Sequence, residues 1–320
     1  MLGIGFSVLE VKVIFILLHS IWYPLSISRY WENALRRNPN IDLITCGIYT
    51  GSFIPWMGGM NLSEKYARPP TYAFPFKPGL NIKINYELLR TQMPYEWKPD
   101  LILSVDGGEN WRYKPNEGIV ATVATDGHCV DYTHARSVSD YFFNMHPHYA
   151  VSGDELLHYA FDPGVHYPTT DNEKDVDAVL IGMPYPQRIE WVNKLRERGV
   201  SVIFENGPVF DEYRQMSNRA VIGLNWASLE DTNARFFETL AYNLCLVTNI
   251  TPDIAKYGFE EGHHFLGFRN MDEAVEKVVW AKEHPDQRKM IALAGYQKVT
   301  RENWTYDKLV LDVLRKVGLM

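Results

Sequence analysis

Short runs rich in β-branched and aromatic residues alternate with longer amphipathic stretches along this 320-residue chain, and the pattern occurs twice. In the first half it predicts strands at 11–18, 42–49, 101–105, 119–125 and 149–152, with helices at 26–37 and 135–145. In the second half it predicts strands at 178–181, 201–204, 220–224 and 245–248, with helices at 187–198, 211–216 and 233–243. Strands that alternate with helices form parallel sheets through right-handed crossovers. The sequence therefore predicts an α/β protein with two doubly wound domains.

The two predicted domains meet in Phe161–Glu173, where Pro, Gly and Asp cluster and the periodicity lapses. We expect an N-terminal domain of residues 1–168 and a C-terminal domain of residues 169–320. Residues 50–99 break the alternation, and their many aromatic side chains predict an ordered insertion rather than disorder. The chain ends in three consecutive predicted helices, so the last helix is able to cross back over the first domain; these helices are 271–283, 286–300 and 306–317.

The charge is unevenly distributed along the chain. The formal net charge of −7 argues against a protein that coats nucleic acid. The first hundred residues nevertheless carry ten Lys and Arg against seven Asp and Glu, whereas the remaining 220 carry 22 against 32. We therefore expect any anionic partner to meet the N-terminal half.

The cysteines and the N-terminus bear on location. Cys46, Cys129 and Cys245 are too widely spaced for a disulfide framework or a zinc motif, which predicts a reducing, cytoplasmic location. Glu10 and Lys12 interrupt the apolar N-terminus, so neither a membrane span nor a signal peptide is predicted there. We expect residues 1–10 to be an extension that precedes the first strand.

The densest functional signal is the segment SLEDTNARFFETLAYN, residues 228–243, which follows a predicted strand and opens a helix. Asp231, Thr232 and Asn233 are typical N-cap residues, and a helix N-terminus with free N–H groups suits a pyrophosphate. Arg235 would add a charge-assisted contact to the same phosphate. Glu238 lies one helical turn further and would accept the hydroxyls of a ribose. The alternative is a capped helix with an internal ion pair between Arg235 and Glu238.

This segment carries a family resemblance. The run ARFFETLAYNLCLVTN is similar to the R-x-F-E-x-x-A-x-G-x-x-x-x-T pattern of the spore-maturation-type glycosyltransferases, a branch of the family-1-type transferases with the GT-B fold. VLIGMPYPQRIEWVNKLRERG and ENWTYDKLVLDVLRKVG resemble the opening strand and helix of the family's donor domain and its terminal helix. Asn243 stands where the family has Gly, and Asn is the next best residue for a left-handed helix end. The resemblance covers residues 176–320 well and the first half only in outline.

The resemblance implies a GT-B architecture, in which two Rossmann-like domains face across a cleft and the C-terminal one binds a nucleotide-diphosphate sugar, with a UDP-sugar favoured. Glu230 and Glu238 stand in the E-x7-E spacing of retaining GT-B enzymes, where the first Glu touches the donor sugar and the second the ribose. Gly182 would let the backbone approach the diphosphate, and Arg188 and Arg235 would neutralise it. The alternatives are a tight turn at Gly182 and a solvated helix residue at Arg188. No metal or other cofactor is expected.

A second constellation, TDGHCVDY at 125–132, follows a predicted strand of the first domain. Asp126 resembles the aspartate that the family places at this strand end, facing the cleft, and His128 lies beside it. Either would take a proton from an acceptor hydroxyl if the reaction inverts configuration. If it retains configuration, the leaving phosphate would assist instead. Asp106 ends the preceding strand similarly, and a plain turn with a surface histidine is the alternative.

The insertion interleaves aromatic residues with cations, which predicts an acceptor surface. Lys65, Arg68, Tyr72 and Phe74, together with Asp106, are the predicted acceptor contacts. Rings among cations are typical of nucleic-acid grooves, and enzymes that modify bases extrude them from the stack. The acceptor is therefore either a hydroxymethylated DNA base or a glycan. A nucleotide-sugar epimerase and a non-catalytic two-lobed binding protein are the rival functions.

The histidines do not predict a metal site. His146, His148, His158 and His166 lack carboxylates at ligand spacing, and Pro147 separates the first two. The sequence therefore leaves these four side chains without an assigned function.

Overall fold

The computed structural model describes residues 12–54, 59–77, 82–107, 110–127, 129–170, 173–228 and 231–320. The strands of the N-terminal domain are β1 (Ile14–Trp22), β2 (Ile41–Tyr49), β3 (Phe53–Ile54), β4 (Met60–Asn61), β5 (Tyr72–Pro75), β6 (Leu101–Val105), β7 (Ile119–Ala124), β8 (Tyr141–Asn144) and β9 (Glu155–Leu156). Its helices are α1 (Ser28–Arg37), α2 (Tyr86–Arg90) and α3 (Thr133–Ser137), with single 3₁₀ turns at Glu64–Tyr66 and Pro147–Tyr149.

The N-terminal domain is built on a seven-stranded sheet in the order β5-β2-β1-β6-β7-β8-β9, and every paired neighbour runs parallel. The central strands β1, β6 and β7 read as nearly continuous apolar runs, because a parallel sheet is covered on both faces. The order reverses between β1 and β6. Ligands in open α/β sheets bind at the carboxyl ends of the strands beside such a reversal.

The C-terminal domain repeats this plan. Its strands are β10 (Val176–Ile181), β11 (Val202–Glu205), β12 (Ala220–Asn225), β13 (Cys245–Asn249) and β14 (Leu266–Phe268), and they form a parallel sheet in the order β11-β10-β12-β13-β14. Its helices are α4 (Pro186–Glu197), α5 (Phe210–Arg219), α6 (Ala234–Ala241), α7 (Pro252–Lys256), α8 (Met271–Glu283), α9 (Pro285–Arg301) and α10 (Tyr306–Lys316). Here the order reverses between β10 and β12.

These two sheets confirm the predicted fold class of two doubly wound α/β domains. Most predicted strands and the three terminal helices lie within a few residues of the observed ones. The insertion at 50–99 is only partly separate, because β5 pairs with β2 and extends the main sheet. Among the residues described, no helix is long and apolar enough to cross a membrane.

Two predictions in the first half are wrong. Residues 135–145 were expected to be one helix, but α3 ends at Ser137 and Tyr141–Asn144 forms strand β8. The pairing of β8 with β7 buries Phe142 and Phe143, and aromatic side chains favour a pleated surface. The expected strand at 149–152 is also wrong, since Pro147 begins a 3₁₀ turn that Tyr149 ends. Strand β14 and helix α7 carry too little periodicity to be predicted.

The last helix joins the two domains. Helix α10 packs against α1, and Leu309, Val310 and Val313 belong to the apolar cluster that includes the N-terminal strands. Arg37 on α1 donates to both carboxylate oxygens of Asp307, at 2.8 and 2.7 Å, and to Asp162 at 2.8 Å. The relative position of the domains is therefore held by apolar packing and by an ionic bridge.

Candidate functional site

A cavity of about 390 Å³ lies where residues that follow strands of both sheets meet, and its size falls in the range of small-molecule sites. The N-terminal domain contributes residues that follow β1, β7, β8 and β9: Leu25, Ile27, Tyr30, Asp126, His146 and Tyr159. The C-terminal domain contributes Ile181, Gly182, Met183, Tyr185, Arg188, Asn206, Gly207, Pro208, Val209, Tyr213, Ser228, Asp231, Asn233, Ala234, Arg235 and Glu238. Two other cavities matter less, as described at the end of this subsection.

Two arginines meet over a glycine at the end of β10. Gly182 has a φ of 150°, and a Cβ there would overlap with Nη2 of Arg235 and lie 3.4 Å from Nη1 of Arg188. Only glycine lets the strand end so close to both guanidinium groups. The structure therefore brings together three residues that the sequence predicts for the diphosphate.

These guanidinium groups are held by neutral acceptors only. Arg188 is 4% exposed, and it donates to the carbonyl of Trp226 at 2.6 and 3.0 Å and to that of Met183 at 3.0 Å. Nη1 of Arg235 donates to Oδ1 of Asn225 at 3.2 Å, and its Nε is buried without a hydrogen-bond partner. Among the described residues, no carboxylate oxygen lies within 4.0 Å of either arginine. Arg188 is buried and Arg235 is half-buried, and two such cations without a salt-bridge partner favour the binding of an anion.

The pKa of Arg188 reflects the same excess of positive charge. Burial, followed by the neighbouring charge of Arg235, lowers its pKa to about 9. An anion between the two guanidinium groups would remove their mutual repulsion and favour the charged forms. The cavity thus gains most from a ligand that carries concentrated negative charge.

Helix α6 begins at this anion site. Asn233 precedes its first turn in an extended conformation and lines the cavity, with Nδ2 donating to Asn225 at 3.2 Å. The Thr232 hydroxyl does not line the cavity, since it bonds to the Thr251 hydroxyl at 2.7 Å. Any donor contact from Thr232 would therefore have to come from its backbone. Asn243 has a φ of 58°, which confirms the left-handed residue predicted just beyond the helix.

Glu238 lies one turn into α6, with its carboxylate in the cavity wall. Tyr213 donates to Oε2 at 2.9 Å, and Nε2 of His166 lies 3.6 Å from Oε1. Nδ1 of His166 accepts from the backbone N–H of Asp162, so the ring proton is on Nε2 and faces Glu238. Burial raises the pKa of Glu238 to about 7, although Arg235 and Tyr213 oppose the shift. The predicted internal ion pair with Arg235 is not formed among these atoms, because Glu238 bonds to Tyr213.

The predicted acceptor-side carboxylates belong to the N-terminal domain. Asp126 follows β7 and lines the cavity, as predicted. Asp106 does not line the cavity, because its carboxylate accepts from the backbone N–H and hydroxyl of Thr125 and from the hydroxyl of Tyr132. Burial and the charge of Asp126 raise the pKa of Asp106. Asp106 is thus a half-buried support beside Asp126.

The sequence did not predict the contact between His146 and Asp231. His146 follows β8, is 2% exposed, and lies 3.3 Å from Oδ2 of Asp231 across the cavity wall. The sequence places His146 directly after the aromatic segment 135–145, for which its pattern predicts a helix, so nothing indicates that His146 follows a strand. Because its partners come from distant segments, no local spacing could have found the pair.

Four predicted acceptor contacts lie elsewhere. Nζ of Lys65 pairs with Asp211 and Glu212 at the start of α5, at 3.3 and 3.0 Å, and Arg68 lies over the ring of Phe210. Their neighbour Tyr66 donates to Asp211. Tyr72 and Phe74 on β5 pack against the outer core of the N-terminal sheet, and none of the four predicted contacts lines the cavity.

Two predicted site residues, His128 and Glu230, lie outside the described residues. Within the described part of the chain, no group of three or more His, Cys, Asp or Glu side chains is arranged to hold a metal ion. Arg188 and Arg235 are the arginines that line the cavity.

A cavity of about 1020 Å³ at the outer edge of the C-terminal sheet is larger, but its lining has Asp272, Glu273 and Glu276 against the single cation Lys277. Another cavity, of about 340 Å³, adjoins His166 behind α6. Neither combines unpaired cations with a helix N-terminus, so the cavity between the sheets is the candidate site.

We predict that Glu238→Gln stabilises the ligand-free protein in alkaline solution. Its pKa of about 7 exceeds the unfolded value of 4.5, so the folded chain holds an extra proton between them and loses stability as the pH rises through this window. Gln cannot ionise, and its free energy of unfolding should exceed that of the wild type by about 1–3 kcal/mol above pH ~7. The difference should vanish below the unfolded pKa.

Urea unfolding across this pH range measures the difference. The control is Glu197→Gln on α4, an exposed carboxylate of the same domain, which should leave the profile unchanged. Parallel profiles for Glu238→Gln and wild type would contradict the buried, proton-holding state of Glu238.

Comparisons with known proteins agree with this geometry. Residues 166–315 match the model of the family described as "Glycosyl transferase-like". No curated protein matches the sequence. The matched segment contains the whole predicted donor site, from Gly182 to Glu238.

Solved structures resemble nearly the full chain. The Anabaena protein Alr3699/HepE, solved with UDP and glucose, aligns with a TM-score of 0.63 at 9% identity, over 96% of this chain and 100% of that one. An alpha-glucosyltransferase solved with UDP-glucose and DNA containing an abasic site aligns at 0.60 and 8% identity, over 95% and 100%. A UDP-N-acetylglucosamine 2-epimerase aligns at 0.54 and 10% identity, over 97% and 98%. The chain therefore has the GT-B fold, and its C-terminal half matches the glycosyl transferase-like family.

Proposed function

We propose that this protein is a glycosyltransferase that moves a hexose from a nucleotide-diphosphate sugar, with UDP as the favoured nucleotide, to a hydroxyl group. The observation that carries the proposal is a pair of guanidinium groups beside the start of α6, with Glu238 one turn away. One group is buried and the other half-buried, and neither has a salt-bridge partner among the described residues. The match of residues 166–315 to the glycosyl transferase-like family supports it. The spacing around Arg235 and Asn243 further supports the spore-maturation branch.

In this proposal the donor diphosphate lies between Arg188 and Arg235, above Gly182. The two guanidinium groups and the N–H groups that open α6 stabilise the negative charge that grows as the sugar–phosphate bond breaks. Glu238 accepts hydrogen bonds from the ribose hydroxyls, and Glu230 contacts the sugar. Arginines supply the positive charge, so we propose that the reaction is independent of a metal ion.

Asp126 is the proposed proton acceptor if the reaction inverts configuration, because its carboxylate lines the wall opposite the arginines. His128 is the second candidate for this role. If the reaction retains configuration, the leaving phosphate takes the proton, and Glu230 and Glu238 have the roles of the E-x7-E pair. The stereochemistry of the product separates these two routes.

The acceptor is either a hydroxymethylated DNA base or a glycan. The alpha-glucosyltransferase that resembles this chain was solved with DNA, which supports the first, and HepE was solved with glucose, which supports a sugar. The excess of cations in the N-terminal half supports an anionic acceptor. Lys65 and Arg68 are half-exposed, and they already contact Glu212 and Phe210.

A nucleotide-sugar epimerase is the second candidate function, because a UDP-N-acetylglucosamine 2-epimerase shares the fold over nearly the whole chain. An epimerase would use the same arginines and Glu238 to hold the nucleotide. It would convert the donor without any acceptor, whereas a transferase needs one for efficient turnover.

We predict that UDP and UDP-glucose stabilise the wild type against heat in the presence of EDTA. A ligand at a hundredfold excess over its dissociation constant stabilises the native state by about 2.7 kcal/mol. Arg235→Ala should weaken UDP binding by about 10- to 100-fold, because it removes a charge-assisted contact. The melting temperature of the ligand-free variant should not fall, since Arg188 loses a repulsive neighbour.

The matched control is Arg196→Ala on α4, an exposed arginine in the helix that carries Arg188, and it should bind UDP like the wild type. Calorimetric titration measures the affinities. Equal UDP affinities for Arg235→Ala and the control would contradict the proposed anion site. Binding that requires added Mg²⁺ would contradict the metal-independent route.

We predict that Asp126→Asn leaves UDP binding unchanged but lowers sugar transfer by about 10²- to 10⁴-fold if the enzyme inverts configuration, because the general base is lost. NMR of the anomeric proton in the product determines the stereochemistry independently. The control is Asp131→Asn, an exposed carboxylate in the same loop. A donor that is consumed equally fast without any acceptor would favour the epimerase.

We predict that a DNA acceptor would bind less tightly as salt increases, because each neutralised phosphate releases counterions, whereas a neutral glycan would show a flat response. Lys65→Glu identifies the role of that cation. If Lys65 contacts the acceptor, the variant should have a higher Michaelis constant for the acceptor. If Lys65 only joins the two domains, the variant should have a higher Michaelis constant for the donor. Lys289→Glu on α9 is an exposed control. No change in either constant would leave Lys65 without a functional role.

A further inference from the structure

One ion pair crosses the cavity wall between the two domains. His146 follows β8 of the N-terminal sheet, and Asp231 lies in the turn that leads from β12 into α6. Their side chains approach to 3.3 Å, with relative exposures of 2% and 7%, and both line the cavity. The contact therefore connects the wall that carries Asp126 to the turn that precedes the anion site.

The surroundings of the imidazole define its protonation. Nδ1 faces the carboxylate of Asp231, and Nε2 faces the backbone carbonyl of Thr125. Both nitrogens thus face oxygen acceptors, and only the doubly protonated ring donates to both. The hydroxyl of Tyr159 lies 2.8 Å from Nε2, and it donates to the same Thr125 carbonyl at 2.6 Å, so it does not require Nε2 as an acceptor.

The ring is also linked to the predicted base. Thr125 directly precedes Asp126, and its carbonyl is held by His146 and Tyr159 together. On the other side, Asp231 lies two residues before the N-cap Asn233. A single imidazolium thus connects the loop on the acceptor side to the turn on the donor side.

We infer that His146, as an imidazolium, is a positioning residue that holds the Asp126 loop and the Asp231 turn at the separation that sugar transfer requires. This inference rests on the proposed function and deepens it. His146 does not touch the reacting atoms in this scheme. Its effect is to fix the distance between the proton acceptor and the donor sugar, and a small misplacement of reacting groups is costly in rate.

The charged groups around the ring favour the imidazolium. Asp231 precedes α6, Asp126 follows β7, and the rings of Tyr149 and Tyr159 pack against the imidazole at 6.1 and 5.4 Å. Burial alone would lower the pKa of His146, but Asp231, the Thr125 carbonyl and the charge of Asp126 together raise it above its usual 6.5. The ion pair is therefore complete in acid and is lost as the pH rises through this raised pKa.

The first experiment tests the ion pair without any ligand. Unfolding of the full-length wild type, His146→Gln, Asp231→Asn and the double variant forms a cycle that isolates the interaction. At about pH 6 we expect the unfolding equilibrium to show a coupling of roughly tenfold, and at about pH 9 we expect none. Absence of coupling at the lower pH would overturn the inference, whether or not the protein is a transferase.

The second experiment tests the positioning role. UDP affinity should stay within about threefold of wild type in all three variants, because the arginines and Glu238 hold the nucleotide, whereas kcat should fall by tenfold or more near pH ~6. The kcat of the double variant should not fall below that of the slower single variant. The kcat of the wild type should decline as the pH rises through the pKa of His146, and this decline should be absent in His146→Gln.

The outcomes separate the two proposals. A wild type that binds no UDP contradicts the proposed function, and the ligand-free cycle still decides the ion pair. Coupling in the cycle with unchanged kcat means that His146 and Asp231 only stabilise the fold, which overturns the positioning role. Loss of UDP affinity in parallel with kcat in His146→Gln would overturn it as well, because the effect would then lie on the donor site alone.

Discussion

Helix α6 is the element on which the site depends, because six of its eight residues are buried at the junction of the two domains. Phe237 stacks on Trp304 with centroids 5.1 Å apart and planes at 19°, and Phe236 contacts Phe259 edge-on at 4.9 Å. These contacts fix the position of α6 against both neighbouring segments. Arg235 and Glu238 are therefore preorganised by the apolar core, and a ligand that binds them does not have to order the helix.

Charged residues of both signs line the cavity. The C-terminal domain contributes Arg188 and Arg235 together with Asp231 and Glu238, and the N-terminal domain contributes Asp126 beside His146. Sugar transfer develops negative charge on the leaving diphosphate and releases a proton from the acceptor hydroxyl. In the proposed reaction the arginines would oppose the charge on the diphosphate and Asp126 would accept the proton, and fixed groups of this kind lower a barrier in a buried site.

Local sequence patterns predicted how the residues on α6 are arranged. They could not predict contacts between residues that are distant in the sequence. Arg235, Glu238 and Asn243 lie on one helix or at its end, so their spacing fixes their relation before any tertiary contact forms. His146 and Asp231 meet only because two strand ends from different domains are brought together. The prediction of a helix at 135–145 is wrong for the same reason, because the long-range pairing with β7 determines the conformation of β8.

The contacts of the insertion at 50–99 indicate a structural role for part of it. Phe210 opens α5 with a φ of 50°, a left-handed conformation that costs a bulky residue about 1–3 kcal/mol. Tyr66 of the insertion packs on its ring at 5.5 Å, and Arg68 lies over it at 5.9 Å. Leu62 approaches Gly207, in the loop that lines the cavity. Two of the predicted acceptor contacts, Lys65 and Arg68, therefore lie against this strained turn. Tyr72 and Phe74 pack on the N-terminal sheet instead.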